Sequence, residues 1–120
     1  MKKLQEEDLQ TIANLTTEFL KIDRVEIDIR DIRNGYFKKY YNFAIIPRWI
    51  FSKVDTYIAY YVIHEICHQF GYRHNAYFKE MERKALGYWG IEIEYMRAYP
   101  KRLYENGEMV YESWRIKQRR

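Results

Sequence analysis

Every histidine of the chain falls within eleven consecutive residues, His64-Glu65-Ile66-Cys67-His68-Gln69-Phe70-Gly71-Tyr72-Arg73-His74. They fit the pattern HExxHxxGxxH, in which each position has a chemical reason. Side chains four apart on a helix lie one above the other, so His64 and His68 can offer two imidazole nitrogens to one ion at about 2.0–2.1 Å. Glu65 is turned one residue away from that pair. Its carboxylate can reach a water beside the ion without taking a coordination position, as a general base must. Gly71 suits a left-handed helix stop, after which the chain can turn back and deliver His74 as a third ligand. Three protein ligands leave a fourth position open, the arrangement of catalytic rather than structural zinc. The expectation is therefore one Zn2+ per chain, held by His64, His68 and His74, with Glu65 carrying protons. An isolated His-x-x-x-His pair is often only two surface histidines. Here the glycine, the third histidine and the lack of any other histidine weigh against coincidence.

Composition bounds what surrounds this motif. With 120 residues, 48% of them hydrophobic, the chain supports one domain with a modest core. Charged residues make up 32%, dominated by Lys, Arg and Glu, a balance seen in thermophile proteins rich in surface ion pairs. The single cysteine, Cys67, excludes an internal disulfide and fits a reducing, cytoplasmic interior. Although only three residues from His64, it reads as a small buried hydrophobe on the inner face of its helix. No leader and no apolar stretch near 18 residues is visible, so no membrane partner is expected. Of the net charge of +4, residues 101–120 carry six basic and three acidic side chains. These mix with Met109, Val110, Tyr111, Trp114 and Ile116, which reads as an amphipathic helix rather than a nucleic-acid arm.

The elements that must position the motif follow from periodicity. Leu9, Ile12, Leu15, Phe19 and Leu20 recur at helical spacing, predicting a core-facing helix over residues 6–21. Val25 to Ile29 alternates as a strand, and Asn34-Gly35 signals a tight turn. Tyr36 to Ile46 supplies one or two further strands, the last predicted to be an edge to which a peptide could add. Ser52 or Asp55 can cap a long helix running to about Phe70, with the motif at its end. Another helix is predicted from Asn75 to Leu86, closed by Gly87, then a short strand Ile91 to Tyr95 and a break at Pro100.

The stretch from His64 to Phe78, ending His74-Asn75-Ala76-Tyr77-Phe78, resembles the minigluzincins, small zinc metallopeptidases of thermophilic prokaryotes related to the catalytic domains of integral-membrane metallopeptidases. The resemblance implies an α+β, zincin-like single domain, a few helices on a small mixed β-sheet, with zinc on the HExxH helix. It implies ligands His64, His68 and His74, with histidine rather than the usual glutamate as the third, and Glu65 as base and acid. The reaction implied is hydrolysis of a peptide or protein substrate. Minigluzincins are made as latent zymogens blocked by a C-terminal segment, which implies a catalytic part over residues 1–100 and a latency segment over 101–120. Exchange of that segment between two copies would make a homodimer. Tyr95, Arg97 and Tyr99 are candidate oxyanion donors, and Glu80 and Glu82 candidate partners for a ligand's second nitrogen. The same stretch also resembles SprT-like proteases acting near nucleic acid. Metzincins share the spacing but need a methionine turn, for which Met96 is the candidate. A non-enzymatic metal- or partner-binding module is the remaining alternative.

Overall fold

The structure, a computed structural model that describes residues 3–118, is a small α+β fold of four helices and two three-stranded sheets. Helix α1 (Glu6–Leu20) starts with a capping box between Gln5 and Asp8, and three acids in its first turn complement the positive end of the helix dipole. Strands β1 (Glu26–Arg30), β2 (Tyr36–Lys38) and β3 (Phe43–Pro47) form a mixed sheet in the order β1-β3-β2. Here β1 runs parallel and β2 antiparallel to β3. Helices α2 (Asp55–Ile66) and α3 (Ala76–Tyr88) follow. Strands β4 (Ile91–Met96), β5 (Tyr99–Glu105) and β6 (Glu108–Glu112) then make an antiparallel meander, and a short α4 (Trp114–Gln118) ends the described chain.

Helix α2 is the centre of the molecule. Eight of its residues are buried, and it touches α1, α3 and strands of both sheets. A helix apolar on most of its circumference can satisfy that surface only from the middle of a fold. The core joins Leu9 and Ile12 of α1, Ile58, Val62 and Ile66 of α2, Ile46 of β3, Phe78 and Leu86 of α3, and Leu103 of β5. A side chain also ties α1 to the first sheet. The Gln10 amide donates to the Val25 carbonyl and accepts from the Ile27 amide, both at 2.9 Å, so it acts as a strand neighbour for β1.

Several local expectations are corrected. Strand β3 is the middle strand, so Ile46 is not at an edge; β1 and β2 are the edge strands instead. Leu15 and Phe19 turn outward, and Phe19 stacks on Tyr88 at 4.6 Å. Neither Ser52 nor Asp55 caps α2. The N-cap is Val54, without a side-chain bond, and the Asp55 carboxylate instead accepts from the Leu4 amide at 3.0 Å. Helix α3 runs through Gly87 to Tyr88. Pro100 lies inside β5 opposite Tyr95, and residues after it form strands β5 and β6 rather than one amphipathic helix. Some of the basic charge there is taken up internally, as Arg102 binds Glu94 and Glu112 at 3.2 and 2.8 Å.

Gly35 is needed for close approach. A Cβ there would stand 2.7 Å from the Ile45 carbonyl oxygen and 2.8 Å from Cε1 of Tyr61, while the Gly35 amide donates to the Tyr61 hydroxyl at 2.8 Å. Gly35→Ala should therefore lower stability by about 1–3 kcal/mol, the range for overpacking. Chemical denaturation would check this, and no measurable shift in midpoint would mean that the loop yields freely.

Candidate metal centre

The motif sits where α2 changes character. The α-helix stops at Ile66 and tightens into a 3-10 turn over Cys67–Phe70, so His64 lies in the last turn of the helix proper and His68 on the tighter turn. Gly71 follows with φ 134° and ψ 161°. This is not the expected left-handed stop but a mirror-extended conformation that also favours glycine. It swings the chain toward Asn75, whose side chain caps α3 by accepting from the Phe78 amide at 2.9 Å.

The result brings His64, His68 and His74 together. Their ligating atoms all lie within 4.8 Å of one another, and Nε2 of His64 is 3.1 Å from Nε2 of His74. Two imidazole nitrogens on one tetrahedral zinc stand about 3.3 Å apart, from bond lengths of about 2.05 Å. The partners behind the rings fix the tautomers. Nδ1 of His64 meets the Glu82 carboxylate at 2.6 Å, and Nδ1 of His68 meets the Gly71 carbonyl at 3.0 Å. Both partners accept there, so each Nδ1 carries a proton and each ring turns its Nε2 away from these partners. Burial, above all, pushes His68 down to about 4, with His64 and His74 adding to it and the Gly71 carbonyl opposing. Burial likewise lowers His74. Both imidazoles are therefore neutral at neutral pH, the form that binds a metal. Donor chemistry, spacing and tautomers all fit one zinc-like ion.

Phe78 supplies the floor. Only 1% exposed, it has its ring centroid 5.2 Å from His64 and 4.9 Å from both His68 and His74. Sequence reasoning missed this role, although the spacing His74-x-x-x-Phe78 with a cap at Asn75 carried the signal. Tyr60, one turn before His64 and 4% exposed, packs its ring 5.5 Å from that histidine and was also missed.

Glu65 is 5% exposed and shares a cleft of about 590 Å³ with the three histidines. Burial pushes its carboxyl up to about 7, with Glu82 adding to the rise and His64 opposing it. The cleft walls are aromatic, including Tyr36 and Phe37 of β2, Tyr61, Tyr99 and Trp114. Of the two acids after His74, Glu80 is exposed and Glu82 is fully buried against His64. Of the three donor candidates, Tyr99 lines the cleft, whereas Tyr95 binds Glu82 and Arg97 is exposed at a turn with φ 61°. Met96 ends β4 and lines a neighbouring cavity of about 260 Å³ rather than the cleft, so it does not supply a methionine turn beneath the histidines. Cys67 is fully buried and free, and burial pushes its thiol up, as suits a packed hydrophobe.

This architecture recurs in a solved structure, the crystal structure of the metallopeptidase zymogen of Pyrococcus abyssi abylysin. The two are similar with a TM-score of 0.57 and 17% identity, over 63% of this chain and 77% of that chain. At that identity the likeness establishes the fold: a small α+β domain of the kind found in a metallopeptidase zymogen. No protein-family model and no curated protein matches the chain.

His74→Ala should abolish tight zinc binding, and Glu82→Gln should weaken it about 10–100-fold, as expected for a group that orients a ligand. Chelator competition on the folded variants measures both. Unchanged affinity in His74→Ala would mean that another group is the third ligand.

Proposed function

We propose that the chain is a zinc-dependent peptidase that holds one Zn2+ through His64, His68 and His74 and uses Glu65 to move protons. The observation that carries this reading is the convergence of three imidazoles with a buried carboxyl beside them in an open cleft. When bound, the ion would supply a Lewis acid that polarises a carbonyl and acidifies water. Glu65, with its proton affinity raised to about 7 by burial, is matched to accepting a proton at neutral pH and returning it to a leaving amine. An extended substrate has a strand edge to pair with in β2, whose Tyr36 and Phe37 border the cleft. Tyr99 is the donor candidate on the wall. The similarity to a metallopeptidase zymogen supports the same reading.

Latency is part of the proposal. Within residues 101–120, β5 and β6 complete a sheet, so the segment suited to restrict the cleft is α4, whose Trp114 is on its wall. The restraint acts within one chain or by exchange between two copies as a homodimer. The free Cys67 agrees with a reducing, cytoplasmic compartment, and no described helix is long and apolar enough to cross a membrane.

Glu65→Gln should keep zinc at full stoichiometry and lower hydrolysis of an unfolded protein about 10²–10⁴-fold, the usual range for losing a proton carrier. Wild-type-like turnover in that variant would sink the mechanism, while zinc binding without turnover in the wild type would favour a binding module. Truncation after Ser113 should give a folded, zinc-loaded protein with higher activity than the full chain. Equal activity would remove α4 as an inhibitor.

A further inference from the structure

Behind the histidines lies a second layer of contacts that the peptidase reading does not use. Strand β4 carries a register shift between Glu94 and Tyr95, and such bulges re-aim a side chain relative to the plain alternation of a strand. The Tyr95 hydroxyl donates to Oε1 of Glu82 at 2.5 Å. The other oxygen of the same carboxylate, Oε2, binds Nδ1 of His64 at 2.6 Å. The Tyr95 ring is gripped from α3 as well. Nζ of Lys79 lies 4.9 Å and the guanidinium carbon of Arg83 5.0 Å from its centroid, within the range of cation–π attraction. Lys79, Glu82 and Arg83 stand three and four residues apart, so one face of α3 presents all three to the same tyrosine. Burial, followed by Glu82, raises the Tyr95 hydroxyl above its ordinary range, which keeps it a donor.

We propose that Tyr95 is a positioning residue for the metal centre, acting through Glu82 to hold the His64 imidazole with its Nε2 toward the ion. The meander of β4, β5 and β6 is thereby a support of the metal site, and the cations Lys79 and Arg83 fix the tyrosine that fixes the carboxylate. A buried carboxylate can rotate about its side-chain bonds, and with only one partner it would hold the imidazole loosely. Two donors on opposite oxygens lock its plane. The ring face held by two cations then removes the freedom of the second donor.

This inference rests on the zinc reading but not on the peptidase reading, and its test is zinc affinity rather than turnover. Chelator competition would be run on the full chain and on Tyr95→Phe, Glu82→Gln and the double variant, with the melting of each metal-free protein as a control for folding. Tyr95→Phe should lower zinc affinity on the order of tenfold, the lower end for loss of a supporting partner. The double variant should bind no more weakly than Glu82→Gln alone, because the tyrosine acts only through that carboxylate. Affinity within twofold of wild type in Tyr95→Phe would overturn the proposal. So would losses that multiply in the double variant, or a loss that only tracks a fallen melting temperature. Arg83→Met keeps the hydroxyl and should give a smaller loss, also cancelled by Glu82→Gln. A wild-type chain without zinc affinity would overturn the metal centre and the relay together, whereas zinc binding without hydrolysis would leave the relay standing and remove only the peptidase.

Discussion

A carboxylate taken wholly out of water must be met by donors, and Glu82 is met by two. At 0% side-chain exposure, it is tolerable in the core only because His64 and Tyr95 each give it a hydrogen bond. That requirement links three separate elements. Helix α3 supplies the carboxylate, α2 the imidazole and β4 the phenol, so satisfying one buried group fixes how the two helices and the second sheet meet. Loss of either donor would leave a buried charge incompletely solvated, a larger penalty than the net value of the bond itself.

Helix α2 explains why such a site can be built in so short a chain. Buried on most faces and reached by both sheets, it is held more firmly than a surface helix of its length would be. Its C-terminal end is also where regularity gives way, first to a 3-10 turn and then to Gly71 with φ 134°. The rigid part aims His64, and the irregular part folds the chain back so that His74 arrives from the opposite side. Asn75 then starts α3 at once and sends Phe78 beneath the three rings.

The three histidines and Glu65 were legible in the sequence because their grouping depends on contacts within eleven residues, where helical spacing decides geometry. Helix α1 and strand β1 were legible for the same reason. Strand order was not. That β3 lies between β1 and β2 depends on long-range pairing, so Ile46 could not be recognised as central. The end of the chain misled because Leu103, Tyr111 and Trp114 suit a helix face as readily as the alternating faces of paired strands, and Pro100 occupies a strand position that local rules treat as a stop. The choice between Glu80 and Glu82 turned on two residues of helix rotation: one faces solvent and the other His64. The role of Tyr95 depended on a bulge that no alternation pattern announces.

The floor under the imidazoles has a thermodynamic consequence. Phe78 touches all three rings, while Glu82 and the Gly71 carbonyl hold two of them from behind. These are contacts between protein groups. Part of the rotamer freedom of those rings is therefore surrendered when the chain folds. Small zinc modules whose ligands gather only around the metal spend ion affinity on building the fold. In this chain protein contacts supply part of that ordering, since Phe78 and Glu82, which hold the imidazoles, are themselves buried in the domain.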